Sequence, residues 1–223
     1  MMKYLTVAVL AFLLMAVACE DPAANKTKAT VSEPTANSAS NAGNATSLAS
    51  APAAKGEALA INGENSKVEF TGSKVTGKHE GGFKDLSGTI DFANNKPEES
   101  TVSVDIDTAS VYSDDETLSG HLKSADFFDV EKFPKATFRS TKIEADTAKG
   151  QDAYAVTGDF NLHGVTKSIS FPATIKAGPE AVEVEAEFTV NRKDFGIVYT
   201  GKADDLIRDG VVIRLNLKAP RKK

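Results

Sequence analysis

From Ala58 onward, apolar side chains recur at every second position, a period that fits strands and not helices. Val68 and Phe70 share a face in SKVEFT, as do Leu86, Ile90 and Phe92 in LSGTIDF. Val102, Val104 and Ile106 follow in TVSVDID, then Tyr154, Val156, Phe160 and Leu162, then Val182, Val184, Phe188 and Val190. Glu183, Glu185 and Glu187 face the other way, so the outer side is expected to be charged and wet. Alternation of this kind means antiparallel strands with one face in water. The predicted strands are Ser66–Thr71, Leu86–Phe92, Thr101–Asp107, Thr137–Glu144, Tyr154–Leu162, Ser168–Ile175, Val182–Val190 and Val211–Leu217. Their number, and the turn residues between them, suggest an all-β closed barrel or a sandwich. Inward assignments rest on strand parity, which one bulge reverses.

One segment departs from the period. Ser113 and Glu116 stand at the spacing of a capping box. Leu118, His121, Leu122 and Ala125 then fall on one helical face, which predicts a short helix between the middle strands. Phe127, Phe128 and Phe133 follow and are expected to plug a barrel end or to line its mouth.

The chain ahead of Ala58 is of another kind. Behind Lys3, Leu5–Ala18 is an uncharged apolar run, shorter than the roughly 20 residues that a membrane-spanning helix needs. Residues 1–18 therefore read as an export signal. The run ends in Ala16-Val17-Ala18-Cys19, which resembles a bacterial lipoprotein box, so Cys19 is expected to carry lipid and to become the new N-terminus. It is the single cysteine of the chain, and a free thiol in an oxidising compartment would be a liability. Glu20 to Gly56 holds no aromatic residue, and Val31 and Leu48 are its only large aliphatics. Residues 19–57 are accordingly read as a lipidated cysteine with a disordered tether, and 58–220 as the folded domain. A flexible tether of that length would hold the domain roughly 30–35 Å from its anchor.

Chemistry-bearing patterns are few. A formal net charge of -5 argues against nucleic acid as a partner. One cysteine excludes a disulfide framework and a cysteine zinc site. His79, His121 and His163 admit a three-histidine metal site, but a buried helix histidine and a turn histidine are the commoner roles, and no metal is expected. Asp114, Asp115 and Glu116 read as helix capping before calcium binding, and Arg192 and Asp194 as a structural pair across a turn. There is no G-x-S-x-G elbow, and Gly81-Gly82 lies among strands and not before a helix.

Four runs carry a resemblance. They are LSGHLKSADFFDVEKFP at Leu118–Pro134, ATFRS at Ala136–Ser140, VTGDFNLHGVTK at Val156–Lys167 and NRKDFG at Asn191–Gly196. In this order they resemble the YceI-like family, over about Ala58 to Leu217. The resemblance implies an eight-stranded antiparallel lipocalin-like β-barrel with a helix between strands and a long apolar channel. It implies export to the periplasm and binding of a polyisoprenoid chain, a quinone tail or another long amphiphile, without catalysis and without a cofactor beyond that lipid. With Cys19 it implies a lipoprotein of the cell envelope, facing periplasm or cell surface, with membrane and apolar lipid as partners; some members are dimers, so a homodimer stays open. Combined with strand parity, it implies a channel lined by Phe70, Ile90, Val104, Ile106, Phe138, Phe160, Phe171 and Phe188. His121, Phe127 and Phe128 are expected at its mouth, with Lys123, Asp126 or residues 72–82 setting headgroup preference. Many members carry a histidine soon after the phenylalanine that matches Phe70; here His79 comes later, within a glycine-rich stretch, so the mouth is expected to differ. The alternative is a barrel filled by its own side chains, serving as an interaction or stress-related surface module.

Overall fold

The computed structural model describes residues 20–34 and 56–221. The predicted signal, Cys19 and residues 35–55 of the predicted tether lie outside them. The chain forms β1 (Thr30–Ser32), β2 (Glu57–Asn62), β3 (Lys67–Lys74), β4 (Gly77–Phe83), β5 (Leu86–Phe92), β6 (Thr101–Asp107) and β7 (Val111–Ser113). After α1 (Glu116–Leu122) come β8 (Lys135–Ala145), β9 (Ala153–Leu162), β10 (Val165–Ala177) and β11 (Ala181–Asn191). The short β12 (Gly201–Lys202) and β13 (Asp205–Leu206) precede the final β14 (Gly210–Pro220).

The main sheet runs β2-β5-β6-β8-β9-β10-β11-β14-β3-β4-β7, with neighbours antiparallel. β2 pairs with β5 at one edge, while β3, the next strand along the chain, pairs with β14 far along the sheet, with β4 and β7 beyond it. The short link between them therefore brings β2 back toward β14 and curls the sheet, and Ser66 Oγ in that link accepts from the Lys218 amide of β14. Of the barrel and the sandwich that the alternation allows, the barrel implied by the resemblance is what forms. The expected count of eight is corrected: with β1 the sheet has twelve strands among the described residues. The additions are short or weakly patterned. β4 reads GKHEGGF, too rich in glycine and charge to show a stripe, and β7 and β1 have three residues each.

Parity assigns the interior well. Val156 and Leu162 of β9, Ile169, Phe171 and Ile175 of β10, and Val182, Val184, Phe188 and Val190 of β11 are buried. β8 holds an irregularity between Ser140 and Lys142, so Ala136 and Phe138 face inward with even numbers and Ile143 with an odd one.

Two local expectations need correction. α1 is capped by Asp115, whose Oδ1 accepts from the Leu118 amide, while Ser113 Oγ donates to the Asp115 carbonyl. The serine is held by its own turn and so leaves the cap to the aspartate. The helix ends at Leu122, and Ala125 lies exposed in the following turn.

The larger correction concerns the tether. Glu20–Pro34, expected to be disordered, lies along the barrel wall. β10 and β11 pair only from Thr174↔Glu185 to Ala177↔Val182 and diverge beyond. Residues 27–32 fill the opening. Thr30, Val31 and Ser32 pair antiparallel with Ser170, Ile169 and Ser168. On the other side the Thr189 amide donates to the Thr27 carbonyl, and Ala29 donates to the Thr189 carbonyl. A buried or half-buried strand edge needs such partners. The composition gave no sign of this, because the segment gains its order from backbone pairing and not from an apolar stripe.

Candidate ligand-binding cavity

The barrel has two unlike ends. β6, β9, β11 and β3 finish, and β8, β10 and β14 start, at one end, here termed the mouth. The other carries the β8–β9 and β10–β11 turns. At that closed end Leu59 lies directly across from Ile90, and Val182 across from Ala219, all buried, with Phe92. The Arg221 guanidinium stacks over the Phe92 ring at 4.9 Å and caps this core.

Above it the barrel encloses a cavity of about 200 Å³. Its wall is hydrocarbon apart from Gly72, Arg192 and Arg208. Phe70, Val104, Ile106, Phe138, Phe160, Phe171 and Phe188 line it, as the sequence predicts. Ile90 does not: it points inward and is buried, but beside Leu59, its cross-strand partner on β2, and outside the cavity wall. Phe127 and Phe128 line the cavity at the mouth. His121 does not, and its predicted place is corrected. Its Nε2 bonds to Asp126 Oδ2 at 2.8 Å, and its ring packs edge-on against Phe127 and Tyr199, behind the cavity wall.

Aromatic packing shapes the space. Phe171 and Phe188 stack at 4.2 Å across the β10–β11 opening. Phe70, Phe83 and Phe128 form a triangle with ring centres 5.5–6.5 Å apart. Glycine makes room for two of the lining rings. A Cβ on Gly81 would lie 2.6 Å from the Phe70 ring, and one on Gly158 would lie 2.5 Å from the Phe138 ring.

Arg192 was expected to pair with Asp194; it pairs instead with Asp209 at 3.3 Å. Its guanidinium is buried and donates to the carbonyls of Ile197, Ile207 and Arg208. Burial lowers its pKa, and Asp209 works against that shift. One cation thereby fastens both arms of the 192–209 loop over the mouth and sets Ile197, Ile207 and Arg208 into the cavity wall. Parity reasoning missed these residues because the loop has no period; the NRKDFG run was their only signal.

The remaining polar groups do not converge on the cavity. His79 bonds to Asp114, and His163, in a left-handed turn with Gly164, packs on Phe133. Among the described residues no cluster of three metal-ligating side chains occurs. A wider outer cleft, about 530 Å³, lies between Glu64, Lys84, Asp105, Asp107 and Lys135. It is open and edged with charges of both signs, so it withdraws little hydrocarbon from water.

Comparisons with known proteins agree with this geometry. Residues 59–219 match the YceI-like domain. A UPF0312 protein of Pseudomonas putida strain W619 is 43% identical over 123 residues, which cover 52% of this chain and 62% of that relative. The match thus spans less than two thirds of that relative's length. A UPF0312 protein of Pseudomonas fluorescens strain SBW25 is 40% identical over 57% of this chain and 68% of its own. Among solved structures, Burkholderia cenocepacia BcnA superposes with a TM-score of 0.61 at 25% identity, covering 71% of this chain and 99% of that one. A polyisoprenoid binding domain from Saccharophagus degradans, implicated in plant cell wall breakdown, gives 0.58 at 17% identity over 74% and 99%. At that identity the likeness is one of fold.

Proposed function

The chain belongs to the YceI-like family, and on that premise we propose that it is a cell-envelope lipoprotein, held to a membrane through Cys19, that binds a long apolar ligand in its barrel. A polyisoprenoid, a quinone tail or a fatty amphiphile fits the chemistry. The observation that carries this reading is the hydrocarbon wall around an enclosed space. Each Å² of tail withdrawn from water contributes about 25 cal/mol, offset by the cost of ordering the chain. Among the described residues no histidine, carboxylate, serine or threonine lines the cavity, so the proposal is binding and not catalysis. The solved Saccharophagus degradans domain, described as polyisoprenoid binding, supports the ligand class through the shared fold.

The cavity volume favours a second reading. Pockets that enclose drug-sized ligands measure about 300–1,000 Å³, and this one is about 200 Å³. A barrel filled by its own rings would serve as a surface module. Binding a long tail therefore requires the rings at the mouth, Phe127 and Phe128 foremost, to swing aside. Native mass spectrometry of the full chain, purified in mild detergent and never denatured, followed by solvent extraction, separates the readings. A mass released on denaturation and identified as an isoprenoid or fatty compound is the expected result. A bare protein that also takes up no added quinone would leave the filled barrel.

A further inference from the structure

The mouth carries the apolar tips of the molecule. The large aliphatic side chains exposed among the described residues are Val75 (53%), Val198 (61%) and Leu206 (48%). Val75 lies far in sequence from the other two, yet all three sit on the mouth rim. The Val75 amide donates to the Leu206 carbonyl, Thr76 Oγ1 to Asp205 Oδ2 at 2.9 Å, and the Arg208 amide to the Ser73 carbonyl. These bonds join the β3–β4 turn to the β12–β13 hairpin as one ledge. Val198 precedes Tyr199, which packs against His121 and Phe127. Ile207 and Arg208, next along the chain from Leu206, line the cavity.

The ordered N-terminal segment begins at the same end. Asp21 pairs with Arg208 at 3.6 Å, and Ala23 is buried against Gly210 at the start of β14. From there the segment passes Glu187, which Lys26 holds, and turns back up between β10 and β11. The residue directly before Glu20 in the sequence is Cys19.

The geometry points to a bilayer surface as the partner of this rim: the barrel stands mouth-down on the membrane, with Val75, Val198 and Leu206 in the interfacial layer and the anchor beside them. The segment after Cys19 acts as a bracket that fixes orientation and not as a spacer. A hydrophobic ligand then passes between bilayer and cavity without crossing water. On the rim Lys74 pairs with Asp205 and Lys193 with Asp209, and the exposed Lys202 and Asp204 of the hairpin are opposite in sign, so attraction comes from apolar insertion and not from anionic headgroups. The inference rests on the lipid anchor proposed above.

The test uses the full lipidated chain in phosphatidylcholine vesicles. Acylation blocks Cys19, so one introduced cysteine takes an environment-sensitive dye. Val75→Cys, Val198→Cys and Leu206→Cys report on the rim, and Gln151→Cys on the opposite end, in the β8–β9 turn. The three rim probes are expected to shift to the blue and to be quenched by spin-labelled lipid at least threefold more than the probe at 151. Adding phosphatidylglycerol is expected to leave the contrast unchanged. In the Val198→Asp/Leu206→Asp background, quenching at 75 is expected to fall at least threefold. Equal, aqueous spectra at all four positions in a chain whose mass carries the acyl groups would overturn the inference and leave the anchor standing. A chain without acyl mass that stays in the aqueous phase would overturn the anchor itself, and the inference with it.

Discussion

The closed end and the mouth of this barrel are built from the same strands with the same alternation, yet one is packed solid and the other is hollow. At the closed end Leu59 lies across from Ile90 and Val182 across from Ala219, Phe92 is buried with them, and Arg221 covers the Phe92 ring. Toward the mouth, Phe138, Phe160, Val211, Ile213 and Leu215 face the cavity and stay half-buried. β2 makes the difference at one end, because it adds Leu59 to the interior. At the other, the 192–209 loop spans the opening on the Arg192 guanidinium and leaves the space beneath it. Alternation thus specifies an inside, and the elements laid across each end decide how full that inside is.

Truncation at the two levels should sharpen this contrast most. Leu59→Ala opens a void in a close-packed region and is expected to cost about 3–5 kcal/mol in urea unfolding. Leu215→Ala enlarges a space that already exists and is expected to cost about 2 kcal/mol or less. Equal costs would mean that the two ends are packed alike.

Next in size is the fastening of the mouth. Arg192→Met keeps bulk but leaves three carbonyls without this donor, and a loss of about 2–3 kcal/mol is expected. Proteolysis within residues 197–207 should speed up, while cleavage in the β8–β9 turn should not. Unchanged protection of the loop would show that its backbone bonds suffice without the cation.

The smallest effect concerns the wall segment. Its Lys26 and Arg214 of β14 both bond to Glu187, and these bonds hold the Glu187 carboxyl below its ordinary value. A lowered carboxylate pKa stabilises the folded form above the unfolded value of about 4.3. That contribution is lost as pH falls through the lower folded value. The Ala29 and Thr189 amides, which close the strip, should therefore lose protection, measured against their intrinsic exchange rates, at acid pH and show no Glu187-linked change in protection between pH 5 and 8. Glu187→Gln should remove the acid step at a cost under about 1 kcal/mol, because the pair is partly exposed. An acid step that persists in the variant would assign it to another group.

Much of the cavity was legible because strand parity needs only the order of residues. Seven of the eight predicted lining residues face the space, and Phe127 and Phe128 stand where the aromatic cluster suggested. Ile90 shows the limit: its inward direction is local, but its neighbour Leu59 comes from another strand. His121 shows another, since a helical wheel gives a face and not what that face meets. Arg192 has no period at all, and its partners lie 5 to 17 residues away in a loop.

By itself the sequence determined an all-β fold with a hydrocarbon interior and a charged exterior, because side-chain alternation follows from the pleat of any strand, while alternation alone left barrel and sandwich both open. It could not determine that β10 and β11 part toward the mouth, nor that residues 27–32 fill that opening. The row Thr189, Val212 and Thr71 makes the point: paired across three strands and facing outward, these residues are only 4%, 1% and 1% exposed. What covers an outer face depends on distant chain returning to it. Unpaired backbone groups recruit such a partner without requiring any particular side chain, so only the tertiary structure decided it.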